Sequence, residues 1–161
     1  MKILIVSDTH RDNRNFFEAL EREEPVDIIV HCGDVEGSEY LYDEACDGDL
    51  YMVRGNNDFF SDLDDEEMFC IGELKVWLTH GHRYGVYRGY DILIDEAKSR
   101  GADIVMFGHT HVPVAEYIND VWVVNPGSLS YPRQEGRIPT YIIMEYERGK
   151  EPTFKLRCVP R

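Results

Sequence analysis

Short apolar runs recur along the chain at residues 3–6, 26–30, 50–53, 74–79, 104–107, 121–124 and 141–146. Runs of this length, bounded by Gly, Asn, Asp or Pro, signal β-strands. The earliest run is apolar at every position, without alternation, which predicts strands buried on both faces as in parallel sheets. Helical spacing lies between several of them. Asn13 is placed to cap a helix carrying Phe16, Phe17 and Leu20, and Tyr90, Leu93, Ile94 and Ala97 recur at i, i+3, i+4 and i+7 before a stop at Gly101. Later the pattern changes. Gly72-Glu73, Asn119-Asp120 and Arg148-Gly149 sit between strand-like stretches and read as hairpin turns. The expectation is a mixed α/β fold of packed sheets covered outside by helices.

The 161 residues carry no repeat and no Ser/Gly linker, so one domain spanning 1–161 is expected. A content of 43% hydrophobic and 30% charged residues is that of a globular chain. The first apolar run is too short for a secretory signal or a membrane-spanning helix. A formal charge of −14 repels nucleic-acid phosphates and anionic membranes, so neither duplex nucleic acid nor a membrane is an expected partner. Cys32, Cys46, Cys70 and Cys158 contain no C-x-x-C pair and read as free thiols, which places the protein in a reducing cytoplasm.

The polar residues are informative through their positions. Ser7-Asp8-Thr9-His10, His31-Cys32-Gly33-Asp34, Gly55-Asn56-Asn57-Asp58, Thr79-His80-Gly81-His82 and Gly108-His109-Thr110-His111 each follow an apolar run, and all six histidines lie in these clusters. Ligands bind α/β sheets at the carboxyl ends of parallel strands, so five clusters are expected to converge on one rim. Asp, Asn and His side chains without thiolates suit borderline divalent metals. Asp8 and His10 are two apart, which in extended backbone points both the same way, and His109 and His111 repeat that spacing. Seven such ligands exceed the needs of one ion, whereas two ions sharing a carboxylate suit in-line displacement at phosphorus.

The ordered set D-x-H, G-D, G-N-N-D, H-G-H and G-H-T-H resembles the calcineurin-like metallophosphoesterases, most closely their small single-domain phosphodiesterase branch. The resemblance runs from Met1 to about Arg133 and includes Asn125-Pro126-Gly127-Ser128 and Pro132-Arg133. It implies two mixed sheets packed as a sandwich between helices, in αββα layers. It also implies that Asp8, His10 and His111 hold one metal, that Asn56, His80 and His109 hold the other, and that Asp34 bridges them around a nucleophilic hydroxide. The expected cofactors are two divalent ions, manganese first, with nickel, iron or zinc also suited. The expected partner is a small phosphate ester, with a homo-oligomer left open.

Other positions carry two readings each. His82 is a supporting or substrate-facing group beside the ligand His80, or takes its place as the ligand, and His31 packs behind the rim in support or is itself a ligand. Asp58 either orients a ligand histidine or forms a turn. Arg133 clamps a substrate phosphate or is simply solvated, and Tyr84, Tyr87 and Tyr90 either pack or line a pocket. Asn57 stands where the wider superfamily usually has a histidine thought to protonate the leaving group. An amide cannot do so at neutral pH, which favours diesters with good leaving groups. The alternatives to an enzyme of this kind are a protein-interaction scaffold of the same fold, as in the retromer's metallophosphoesterase-like subunit, and a single-strand nuclease, which the acidic balance disfavours.

Overall fold

A computed structural model describes residues 1–160. Its elements run β1 (Lys2–Val6), α1 (Arg14–Glu23), β2 (Ile28–His31), α2 (Glu39–Ala45), β3 (Asp49–Met52), β4 (Glu66–Ile71), β5 (Leu74–Thr79), α3 (Asp91–Ser99), β6 (Ile104–Met106), β7 (Val114–Ile118), β8 (Val121–Asn125), β9 (Thr140–Glu145) and β10 (Thr153–Cys158). All seven expected strands are present. Strands β4, β7 and β10 are the partners that the three expected turns require. Each is an edge strand, and β10 is mostly exposed, so these three lack the unbroken apolar runs that mark the inner strands. Helix α2 carried no readable stripe because it buries only Tyr42.

Two five-stranded sheets form, in the orders β10-β9-β1-β2-β3 and β4-β5-β6-β8-β7. Each contains a parallel trio, β1, β2 and β3 in one and β5, β6 and β8 in the other, completed by antiparallel strands. Ile3 and Ile5 face the space between the sheets with Val30, Val76, Leu78, Ile104 and Met106. Leu4 and Val6, one position out of phase, pack outward against Phe16, Leu20 and Tyr42 of α1 and α2. On the other sheet Trp77, Val105 and Val123 pack outward with Leu93, Ile94 and Ala97 of α3. The period-two alternation of a strand is therefore present, with both faces apolar, and the layers are αββα as the resemblance implies.

The ends of the elements follow their local chemistry. Gly101, at φ 69°, ends α3 in a Schellman motif: its N–H reaches Lys98 O at 3.0 Å and that of Ala102 reaches Ala97 O at 2.9 Å. Asn119 and Asp120 both adopt positive φ, 48° and 66°, as a two-residue hairpin matching the twist of its strands requires. Arg148-Gly149 instead lies inside the longer connection 146–152. Asn13 occupies the N-cap position of α1 without capping it, because its Oδ1 accepts the Tyr42 hydroxyl at 2.7 Å. Phe17 is exposed, and the buried stripe of α1 is Phe16, Ala19 and Leu20. All four cysteines are free, and among the described residues no helix is long and apolar enough to cross a membrane.

Leu78 is fully buried between the sheets. Leu78→Ala is expected to lower stability by about 2–5 kcal/mol, through lost transfer energy and a cavity that the sandwich cannot close. Truncation of the exposed Met68 to Ala should cost far less. Urea unfolding of the two variants checks the difference.

Candidate metal centre

Both parallel trios end at the same edge of the sandwich, and the loops leaving them carry the polar clusters. Asp8 and His10 follow β1, Asp34 follows β2, and Asn56, Asn57 and Asp58 follow β3. From the other sheet come His80 and His82 after β5, and His109 and His111 after β6. The backbone there is not extended. Asp8, His10, Asp34, His109 and His111 have φ of 53°, 45°, 60°, 66° and 59°. The same-side geometry expected for the two D-x-H and H-x-H pairs from strand periodicity is thus corrected: left-handed loop residues, each costing about 1–2 kcal/mol, turn these side chains inward.

The side chains form two groups of converging donor atoms, Asp8 with His10 and His111, and Asp8 with Asp34 and His80. Asp8 Oδ1 lies 3.0 Å from His111 Nε2, 3.8 Å from His10 Nε2 and 3.9 Å from His80 Nε2. Asp34 Oδ2 lies 3.8 Å from His10 Nε2 and 3.4 Å from His80 Nε2, so it reaches both groups. Asn56 Oδ1 is 3.0 Å from His80 Nε2. The His109 ring centroid is 5.2 Å from that of His80, and the His109 backbone N–H donates to Asp8 Oδ2 at 3.1 Å. His82 lies outside both groups, its ring 5.4 Å from that of His80, and its buried Nδ1 has no partner.

Tautomers decide what these contacts mean. His80 Nδ1 is 2.7 Å from the Cys32 carbonyl and His111 Nδ1 is 2.6 Å from the Tyr131 carbonyl. A carbonyl only accepts, so both Nδ1 atoms carry the proton. His10 Nδ1 is likewise 2.6 Å from the Glu36 carboxylate. In the neutral imidazoles every Nε2 then turns a lone pair toward carboxylate or amide oxygens, and the buried Asp8 Oδ1 has no hydrogen-bond donor. Converging acceptors, behind histidines tied through their second nitrogen, fit a divalent cation.

The charges respond accordingly. Burial works to raise the Asp8 carboxyl, but His111 and His80 outweigh it and hold it below the usual range. Burial would lower His80, yet the Asp34 contact and the nearby Asp8 push it up to about 9. Asp34 is held below the usual carboxylate range against its burial by His80 and Asn57. His109 drops to about 4 through burial and the neighbouring His80, and so stays neutral.

An outer layer fixes this set, and most of it was not legible in sequence. The Asp58 carboxylate accepts the backbone N–H groups of Asp34 at 2.8 Å, Glu36 at 2.6 Å and Gly55 at 2.6 Å. It locks two loops together and touches no histidine. Asn57 donates its backbone N–H to Asp34 Oδ1 and its side-chain amide to Oδ2, both at 2.8 Å. His31 accepts Gly33 N–H at 3.1 Å and pairs with Thr9 at 3.1 Å; burial drives it down to about 3, so it is a neutral support. Ser128 and Ser130 donate to the Asp8 carbonyl at 2.8 and 2.9 Å, while Asn125 holds Gly108 and Thr110, which explains the Asn-Pro-Gly-Ser segment. A Cβ at Gly33 would lie 2.6 Å from His80 Nδ1, so the loop passes too close for any side chain.

At the rim, Tyr87 packs edge-on against His109 at 5.1 Å, donates to the His109 carbonyl at 3.0 Å and accepts a hydrogen bond from Arg133. Tyr84 and Tyr90 instead pack on Trp77 and Phe107. Glu36 and Tyr131, which packs edge-on on His10 at 5.2 Å, are site residues that no sequence signal marked.

Residues 1–149 match the family model for the calcineurin-like phosphoesterase superfamily domain. A probable metallophosphoesterase of Bacillus subtilis is 34% identical over 148 residues, covering 91% of this chain and 85% of its own. A phosphodiesterase of Methanocaldococcus jannaschii is 34% identical over 144 residues, covering 79% and 83%. A solved archaeal phosphodiesterase superposes with a TM-score of 0.78 at 30% identity, covering 99% of this chain and 100% of its own. Vps29 of Entamoeba histolytica, solved in complex with zinc, superposes with a TM-score of 0.78 at 20% identity over 98% and 99%, a likeness of fold.

Removing the Asp58 carboxylate frees both loops without removing a candidate ligand. Asp58→Ala is expected to weaken Mn2+ binding about 10- to 100-fold, the usual cost of losing outer support. Calorimetric titration measures it, and unchanged affinity would mean that the loops hold their shape unaided.

Proposed function

This chain belongs to the calcineurin-like phosphoesterase superfamily, and we propose that within it the protein is a metal-dependent phosphodiesterase with a dinuclear centre. In this reading Asp8, His10 and His111 hold one divalent ion, Asn56, His80 and His109 hold a second, and Asp34 bridges the two. The observation that carries it is the reach of Asp34 Oδ2 to histidines of both groups, 3.8 Å to His10 and 3.4 Å to His80. When bound, such an ion pair supplies Lewis acidity at phosphorus and makes hydroxide available as nucleophile near neutral pH. A donor set of imidazole, carboxylate and amide without thiolate favours manganese, with nickel, iron or zinc also suited.

The chain's own residues orient this chemistry. Glu36, Cys32 and Tyr131 accept the Nδ1 protons of His10, His80 and His111 and so present their Nε2 atoms inward. Asn57 pins both oxygens of Asp34. Arg133, steadied by Tyr87, is the substrate-binding group, its planar fork matched to phosphate oxygens. His82, half-buried beside His80 and His109, faces the substrate side. Asn57 cannot protonate a leaving group, so the substrate is a small phosphodiester whose alcohol departs readily. The acidic surface and free thiols support a cytoplasmic protein that acts on neither duplex nucleic acid nor membranes.

The purified protein is expected to hydrolyse bis-p-nitrophenyl phosphate, to lose that activity on exhaustive chelation, and to regain it with Mn2+. Full turnover after metal loss confirmed by elemental analysis would overturn the metal-dependent reading. Without a protein acid at Asn57, log kcat should fall steeply as leaving-group pKa rises. Nitrophenyl esters should therefore outpace alkyl esters, and a shallow plot would transfer the proton-donor role to another group, with His82 the nearest.

A further inference from the structure

A cavity of about 1000 Å³ opens from the His10 and His111 side of the metal centre. That exceeds the needs of a single phosphate and suits a nucleotide-sized ligand. Arg14, Arg133 and Arg137 all line it, three of the chain's twelve arginines in a protein of charge −14. Among the described residues its two carboxylates are already engaged. Glu36 is bound to His10, and Asp12 is held by two N–H groups of Arg14 at 2.9 and 2.7 Å. Of the five N–H donors on a guanidinium, Asp12 thus takes only two from Arg14.

Arg133 is the telling residue. Of the ten other arginines among the described residues, most pair with carboxylates: Arg22 with Glu18, Arg54 and Arg83 with Asp65, Arg100 with Glu66 and Glu96, Arg148 with Glu73. Among the described residues Arg133 has no carboxylate within ion-pair distance; it donates to the Tyr87 hydroxyl, while its backbone N–H is fixed to the His111 carbonyl at 3.1 Å. This acidic chain thus places at the cavity wall a guanidinium without a carboxylate partner among the described residues. Pro139 and Val159 supply an apolar side on which a sugar or base can rest.

We propose that this arginine-lined cavity is a second anion subsite, which binds a further phosphate of the substrate while the ester to be cleaved lies at the metal centre. The substrate class is then a phosphodiester carrying a second phosphate, of the size of a nucleoside bisphosphate derivative. This rests on the phosphodiesterase reading above, and its test separates the two.

Two compounds differing by one group serve as probes: thymidine 5′-(p-nitrophenyl phosphate) and the same ester bearing a 3′-phosphate. With the Mn2+-loaded protein, the 3′-phosphate is expected to lower KM by about tenfold or more, the worth of a charge-assisted contact. In the double variant Arg14→Gln/Arg137→Gln the KM ratio should fall toward one, whereas Arg22→Gln, on the outer part of α1, should keep the ratio of the unmodified protein. Circular dichroism confirms that the variants are folded. Equal KM values for both esters in the unmodified protein would overturn the subsite and leave the phosphodiesterase reading standing. If neither ester is cleaved, that reading falls, and calorimetry decides the subsite alone. Tighter binding of thymidine 3′,5′-bisphosphate than of thymidine 5′-monophosphate, abolished in the double variant, upholds it, and equal binding rejects it.

Discussion

Three histidines that give their Nδ1 protons outward are the constraint on which the rest of the site depends. Once His80 is tied to the Cys32 carbonyl, His111 to the Tyr131 carbonyl and His10 to Glu36, the inward Nε2 lone pairs face Asp8 and Asp34 across 3.0–3.9 Å. Such a cluster of acceptors is repulsive unless positive charge enters it. The protein supplies that charge with a proton at His80, whose affinity rises to about 9, and the divalent ions proposed here would displace it. The same hydrogen bonds that fix the rings therefore select what the site can hold.

Holding that arrangement requires loops that a free chain would not adopt. Five candidate ligands or loop partners sit at positive φ, and the strain is offset by a lattice of hydrogen bonds from outside the donor set. Asp58 gathers three N–H groups, Ser128 and Ser130 grip the Asp8 carbonyl, and Asn125 spans the loop after β6. Two parallel trios, one per sheet, deliver their loop clusters to the same edge of a sandwich packed across the Ile3, Ile5, Leu78 and Met106 core. Rigidity at the site is thus inherited from burial between the sheets.

Charge organises the surroundings. A chain of −14 has to attract an anionic ester, and divalent ions would reverse the sign locally in a way that its side chains alone do not. At the adjoining cavity Arg133 adds a guanidinium without a carboxylate partner among the described residues, while most other arginines are neutralised by neighbouring carboxylates.

The inner strands were legible in the sequence because burial on both faces demands unbroken apolar runs, and the polar clusters were legible because they follow those runs directly. Motif order also sufficed to name the family and the fold. Edge strands β4, β7 and β10 and helix α2 left weaker marks, since one exposed face or a single buried Tyr42 imposes little pattern. Only the tertiary structure decided the rest. Strand periodicity suggested that Asp8 and His10 align in extended backbone, whereas left-handed loops bring them together. Glu36 and Tyr131 beside His10, the clamp of Asn57 on Asp34, and the pairing of Arg133 with Tyr87 join residues 23 to 121 positions apart in sequence. No local pattern encodes such contacts, because they depend on which loops the two packed sheets place side by side.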